Sequence, residues 1–303
     1  MDFRQLQYIC MVAETKSITK AATALYISQP SLSHFIAKTE EELGVSLFDR
    51  STTPISLTYA GEKYVQTAHK ILALNEQMQK EFRDISKNMK GRLRIGLPHD
   101  RAAYMLPMIV PAFNREFPGI EVQIYTAPSK GLLDALYRGL ANIVILPCGE
   151  PQEKKLESFT ICREEMLVVA GKGAISSDCL IGGQGNTVDL ARIVDYPFLL
   201  LQQGHASRTM IDALFQACGM MPRIRLETNS NITSYRLAAS GMGITIVPGM
   251  ITKLVRHDPD AQLYSIYPGP VMWEVRALYL RDSYMGVAEH RFLEIARNVL
   301  SER

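Results

Sequence analysis

Gln29, Pro30, Ser33, His34 and Lys38 recur on one side of a short segment whose other side carries Leu32, Phe35, Ile36, Thr39 and Leu43. A glutamine at the start of such a segment can pair bidentately with adenine, and a serine or histidine one turn later can bond a base or a phosphate. An ordinary surface helix more often presents long Glu and Lys side chains there. The chemistry on offer is hydrogen-bonded reading of a nucleic acid. Glu40-Glu41-Glu42, near the far end, would repel phosphate and is expected to point away from a duplex. Periodicity alone leaves a plain helical bundle open, because such a bundle needs the same apolar face.

Those side chains require a helix that is held outward. Ser28 is placed to cap it, Pro30 falls in its first turn, and Gly44 stands where a left-handed C-terminal cap belongs. Upstream, Asp2 and Gln5 form a capping box for a helix with Phe3, Leu6, Ile9, Cys10 and Ala13 on one face. Ser17 opens a second helix with Ile18, Ala21, Ala22 and Leu25, and only Tyr26 to Ser28 connect it to the third. Two short helices around so tight a turn form the arrangement that seats a helix in a major groove. Val45–Phe48 and Ile55–Leu57 flank Ser51-Thr52-Thr53-Pro54 and predict a small two-stranded wing, with Arg50 at its base either gripping phosphate or lying idle on the surface.

Tyr64, Ala68, Ile71, Asn75, Met78, Phe82, Ile85 and Met89 then alternate steps of four and three, a heptad seam with one polar member. A long helix from about 58 to 88 is expected, and self-pairing along this seam is the reading preferred over burial in a larger bundle.

Beyond Gly91 the pattern changes to alternating strands and helices. Leu93–Leu97, Glu121–Tyr125 and Asn142–Leu146 read as strands, with helices at Tyr104–Phe117 and Lys130–Leu140 between them. Met166–Ala170, Phe198–Gln202, Arg223–Glu227 and Ile244–Val247 repeat the theme with helices at Ser207–Cys218 and Ile232–Ser240, and the tail adds Val275–Leu280 and a helix over Val287–Leu300. Two α/β lobes with parallel sheets and a cleft between them follow from this order. Ligands of such sheets bind beyond the strand C-termini. Pro98, His99, Asp100, Arg101, Ser129, Lys130, Gln203, His205, Arg208, Asn229 and Ser230 all fall there. His99, Arg101, Lys130, His205 and Arg208 among them together suit a small carboxylate or another anion.

Other chemistry finds little footing. Gly182-Gly183-Gln184-Gly185 lacks the spacing of a phosphate loop. No serine or cysteine stands in a nucleophile-elbow context, no His/Glu cluster has metal spacing, and neither catalytic residues nor a bound cofactor are expected. The 33 Lys and Arg residues nearly balance 31 Asp and Glu, so bulk charge announces no polyanion partner. The five cysteines are scattered and unpaired by spacing, no apolar run approaches a membrane span, and the N-terminus does not resemble an export signal. A cytoplasmic protein with reduced thiols, free of the membrane, is expected.

Along nearly its full length the sequence resembles LysR-type transcriptional regulators. The resemblance rests chiefly on Ser17-Ile18-Thr19-Lys20-Ala21-Ala22, Leu25, Ser28-Gln29-Pro30-Ser31-Leu32-Ser33, Glu41-Glu42-Leu43-Gly44, Leu47-Phe48, Arg50 and Leu57-Thr58-Tyr59-Ala60-Gly61. It implies a winged helix-turn-helix over 1–58, a linker and dimerisation helix over 59–90, and a two-lobed effector-binding domain over 91–303 with a fold like periplasmic binding proteins. Lobe 1 would span about 91–163 and 266–303, and lobe 2 about 164–265. It further implies that Gln29, Pro30, Ser33, His34 and Lys38 enter or flank the major groove, with Arg50 and Thr53 of the wing near the backbone. The implied partners are promoter DNA, further copies of the chain as homodimer or homotetramer, a small effector, and RNA polymerase. Rival readings are an enzyme built on the two-lobed fold and an architectural DNA-binding protein whose lobes only oligomerise. The sequence departs from the family pattern at His34, at the wing residues Thr52, Thr53, Pro54 and Ser56, and at Asn142.

Overall fold

The computed structural model describes residues 2–52, 54–85, 90–183, 185–255 and 258–301, with the backbone alone at 80, 83–85 and 301. The chain falls into two units, one running to the end of the long helix and including 137–140, the other holding the rest.

In the first unit, α1 (Phe3–Thr15) opens on the Asp2–Gln5 capping box, and α2 (Ile18–Ala24) opens on Ser17. Helix α3 (Gln29–Leu43) starts where the Ser28 hydroxyl accepts the Ser31 N–H and ends at Gly44, whose φ of 69° is the left-handed cap expected of glycine. Leu6, Ile9, Val12, Ala21, Leu32 and Ile36 close the core between these helices. The wing is shorter than the sequence suggests. Strand β1 (Phe48–Asp49) pairs antiparallel with β2 (Ser56–Leu57), two residues each. Helix α4 (Tyr59–Ile85) packs back against α1, and Gly61 makes its start possible, since a Cβ there would sit 1.9 Å from the Leu47 carbonyl oxygen.

In the second unit, β3 (Gly91–Leu97), α5 (His99–Glu116), β4 (Ile120–Thr126), α6 (Ser129–Tyr137) and β5 (Ile143–Pro147) form the first lobe's opening layers. The second lobe gathers β7 (Thr187–Asp189), β8 (Phe198–Leu201), α7 (Ala206–Ala217), β9 (Ile224–Thr228), α8 (Asn231–Ala239), β10 (Ile244–Pro248), α9 (Gly249–Leu254) and β11 (Ala261–Tyr267). Between β5 and β7 runs β6 (Leu156–Gly171), and after β11 come β12 (Met272–Leu280) and α10 (Val287–Ser301).

The sheets are mixed, where the sequence pattern suggested parallel ones. β3 pairs parallel with β4 and β5, and β8 pairs parallel with β9 and β10, but β12 lies antiparallel between β5 and β6. The cause is β6, whose sixteen residues serve both lobes: Leu156–Glu165 pair with β12, and Met166–Ala170 pair with β10. The chain therefore enters the second lobe at 165–166 and leaves it between 267 and 272, after Ser265–Tyr267 have paired with β7. Phe113, Phe292, Ile95 and Ile109 centre one core, and Phe198, Phe215, Val168 and Ile246 the other. Asn142, the departure from the family's acidic residue, accepts the Arg94 N–H through its side-chain oxygen at 2.9 Å, so an amide serves the backbone there.

Candidate functional site

Helix α3 turns Leu32, Ile36 and Thr39 inward and leaves Gln29, Pro30, His34 and Lys38 exposed, with Ser33 half-buried. The Gln29 Nε2 donates to Ser33 Oγ at 2.8 Å, which steadies the amide at the helix start. The sequence-derived face is therefore assembled as one outward surface on a helix anchored from behind.

Glu40 does not stand with that face. Its Oε1 accepts the N–H groups of Leu47 (2.7 Å) and Phe48 (3.1 Å), and its Oε2 accepts from Arg50 Nη2 at 3.0 Å. One carboxylate thus ties the wing to α3. Arg50, expected to be either a phosphate grip or idle, is held by Glu40 with about half of its side chain still exposed, at 49%. Beside it, hydrogen bonds from the Ser51 hydroxyl and N–H hold the Asp49 carboxyl below its ordinary range. A hollow of about 620 Å³ lies between α3 and the wing, bordered by Ala37, Glu40, Ser46, Phe48, Arg50 and Thr58. Thr53 lies outside the described residues.

The turn before α3 contains a feature that periodicity does not reveal. Tyr26 adopts φ 56°, and its side chain is 96% exposed. Left-handed backbone costs a non-glycine residue on the order of 1 kcal/mol.

The heptad seam divides. Tyr64, Ala68 and Ile71 pack into the first unit's own core, because the first turns of α4 lean on α1. Asn75 is half-buried, while Met78 and Phe82 are exposed, and so is Leu74, which the heptad reading left out. The Ile85 side chain and Met89 lie outside the described residues. Among the described residues in the second half of α4, Leu74, Met78 and Phe82, spaced by four, leave an apolar strip exposed in the single chain.

In the second unit the residues expected in the cleft separate into held and exposed groups. Pro98, half-buried, caps α5 without a side-chain bond, and His99 is exposed in the first turn. Helix α5 begins five residues earlier than the sequence suggested, and that places Arg101 on its inner face, 3% exposed. Its Nη2 bonds Glu164 Oε1 at 2.5 Å; the same oxygen accepts from Trp273 Nε1 at 2.8 Å, and Glu164 Oε2 accepts the Met250 N–H. Arg101 is thus a structural tie between α5, β6, β12 and α9 rather than a cation open to ligand. Asp100 reaches the start of α8, where Asn231 donates its backbone N–H (3.3 Å) and its side-chain amide (3.1 Å). Arg208 is likewise buried, bonded to Asp212 at 2.8 Å, to the Leu201 carbonyl at 2.7 Å and to Glu227. The charge arithmetic of the sequence missed these partners, which lie as far as 131 residues away.

Ser230 caps α8 through Thr233, and His205 precedes α7 without capping it. Ser129 is half-buried at the start of α6, and Lys130, Gln203 and Asn229 are exposed. Asn231, absent from the sequence-derived set, holds a buried Oδ1 with no hydrogen-bond partner among the described residues.

Burial lifts the thiol of Cys10 to about 12 and those of Cys148 and Cys162 to about 11, which suppresses their thiolates. Among the described residues no group of His, Cys, Asp and Glu is arranged to hold a metal ion, and no helix is long and apolar enough to cross a membrane.

Residues 3–62 match the model of the bacterial regulatory helix-turn-helix protein, lysR family, and residues 86–301 match that of the LysR substrate binding domain. The HTH-type transcriptional regulator YcgK of Bacillus subtilis (strain 168) is 28% identical over 100% of this chain and 96% of its own length. The DNA-binding transcriptional dual regulator OxyR of Escherichia coli (strain K12) is 30% identical over 89% of this chain and 87% of its own. Among solved structures, a full-length OxyR variant from Pseudomonas aeruginosa shares the fold with a TM-score of 0.74 at 22% identity, covering 99% of this chain and 94% of that one. Full-length CbnR complexed with its target DNA does so with a TM-score of 0.70 at 24% identity, covering 99% and 100%. These relatives are transcriptional regulators rather than enzymes.

Proposed function

Because this chain belongs to the LysR family of transcriptional regulators, we propose that it binds a twofold-related promoter site through α3 and alters that grip when a small molecule enters between its lobes. The observation that carries the DNA half is the exposed row of Gln29, Pro30, His34 and Lys38 on a helix whose opposite face is sealed in the core. Gln29 and Ser33 read base edges, His34 and Lys38 reach base or phosphate, and Arg50 steadies the wing against the backbone.

Two copies pair through the exposed Leu74, Met78 and Phe82 of α4, which sets the distance between two recognition helices. The fold shared with CbnR, whose structure was solved with its target DNA, supports this arrangement. A homotetramer and a contact with RNA polymerase extend it, and the cytoplasm is the compartment in which it acts.

The effector enters at the C-terminal ends of β3, β4, β8 and β9. With Arg101 and Arg208 bound to carboxylates, and Asp100 on the start of α8, the hydrogen-bonding side chains left for a carboxylate or another anion are His99, Lys130 and His205. Pro98, Ser129, Gln203, Asn229 and Ser230 complete the polar lining. The effector acts only if it favours one assembly over the other, so its contacts must differ between them.

Footprinting on the chain's own upstream promoter region tests the reading. Two protected half-sites on one face of the duplex are expected, with a pattern that shifts when an active metabolite is added. Protection without sequence preference at moderate salt would remove the regulator reading in favour of an architectural one.

A further inference from the structure

The N–H of Tyr26 bonds the Thr23 carbonyl at 3.2 Å and that of Ile27 bonds the Ala22 carbonyl at 3.1 Å, closing α2 with the paired bonds of a left-handed cap. Tyr26 fills the left-handed position itself, at φ 56°, where glycine is the usual occupant. A bulky side chain there is strained, and this one is 96% exposed, so the fold gains almost no burial in return. Lys16 makes the contrast. It also takes a left-handed φ, 49°, as the cap of α1, but its cation lies at a helix C-terminus that attracts positive charge. A neutral phenol draws no such benefit.

Tyr26 stands two residues before the cap Ser28 and three before Gln29, at the end of α3 that exposes Gln29 and Pro30. When that end lies in a major groove, the residue of the preceding turn stands over the groove's rim, where the phosphates run. We propose that Tyr26 is a contact to the DNA backbone, its phenol O–H donating to a phosphate oxygen beside the bases that α3 reads. The strain is retained because the left-handed turn aims the ring out of the fold toward the duplex. This rests on α3 being the recognition helix.

The test uses the full chain with two labelled duplexes, its own promoter fragment and an unrelated sequence, titrated at several salt concentrations. Tyr26→Gly is expected to unfold at the same or a higher temperature than the unaltered protein and yet to bind both duplexes about tenfold more weakly. Tyr26→Phe, which removes only the hydroxyl, is expected to lose about as much. For both variants the slope of log affinity against log salt should stay unchanged, because no cation is lost.

Tyr26→Phe binding as tightly as the unaltered protein overturns the phosphate contact. Tyr26→Gly unfolding at a clearly lower temperature overturns the premise that the fold draws nothing from the ring. Gln29→Ala, measured alongside, separates the two layers: if it weakens binding to the promoter fragment and the Tyr26 variants do not, this inference fails alone. If none of the three changes binding, the recognition-helix reading fails with it.

Discussion

The starts of α3 and α5 offer polar side chains of similar promise and use them in opposite ways. At α3, Gln29 and His34 face solvent, and the Gln29 side-chain amide bonds Ser33, four residues on. At α5, Asp100 and Arg101 reach residues 131 and 63 positions away: Asp100 ties α5 to α8 of the second lobe, and Arg101 holds Glu164, whose other oxygen accepts the Met250 N–H. A helix face facing outward is set by neighbours one turn apart, whereas the availability of a charge is set by whichever element the fold brings against it.

The largest expected effect breaks this comparison at α5. Arg101→Met leaves the Glu164 carboxylate buried without its cation, and unfolding of the full chain should show a loss on the order of 3 kcal/mol. A ligand-contacting arginine would instead leave stability intact and abolish the effector response.

His69 sharpens the same contrast within the first unit. It is 7% exposed on α4, its Nε2 has no hydrogen-bond partner among the described residues, and burial, with the Arg138 charge, lowers its pKa to about 4. Below pH 6.5 the unfolded chain takes up a proton that the folded chain refuses until about pH 4, so stability must fall as pH drops through that window. His69→Leu should flatten that part of the stability profile, as thermal unfolding between pH 7 and 4 would reveal. An unchanged profile would place the acid sensitivity elsewhere.

The smallest effect concerns the wing. Arg50→Ala should reduce the slope of log affinity against log salt by about 0.9, the share of one phosphate contact. A slope equal to that of the unaltered protein would mean that Arg50 serves only Glu40.

The parts of the molecule that were legible in advance are those written within a few residues. Asp2 with Gln5, Ser17, Ser28 and Gly44 announce their helices because caps are local hydrogen bonds. The outward face of α3 follows from the inward spacing of Leu32, Ile36 and Thr39. The double role of β6 was hidden, since nothing in Leu156–Glu165 reveals that β12 will return antiparallel beside it and make the sheets mixed. The heptad seam misled for a related reason: a seven-residue rhythm does not tell an intramolecular partner from a second copy. Tyr64, Ala68 and Ile71 went to α1, and Leu74 took their place on the open face. The earlier start of α5 turned Arg101 inward by the same kind of long-range choice. Tyr26 left a signal only in its backbone angle, which residue type does not disclose.

The central claim is that the exposed start of α3 inspects base edges. The most direct measurement is the affinity of Gln29→Ala for the promoter fragment and for an unrelated duplex at one salt concentration. The account predicts that preference for the promoter falls by about 1 to 3 kcal/mol while binding to the unrelated duplex and thermal unfolding stay as they were. Undiminished preference in that variant would contradict it.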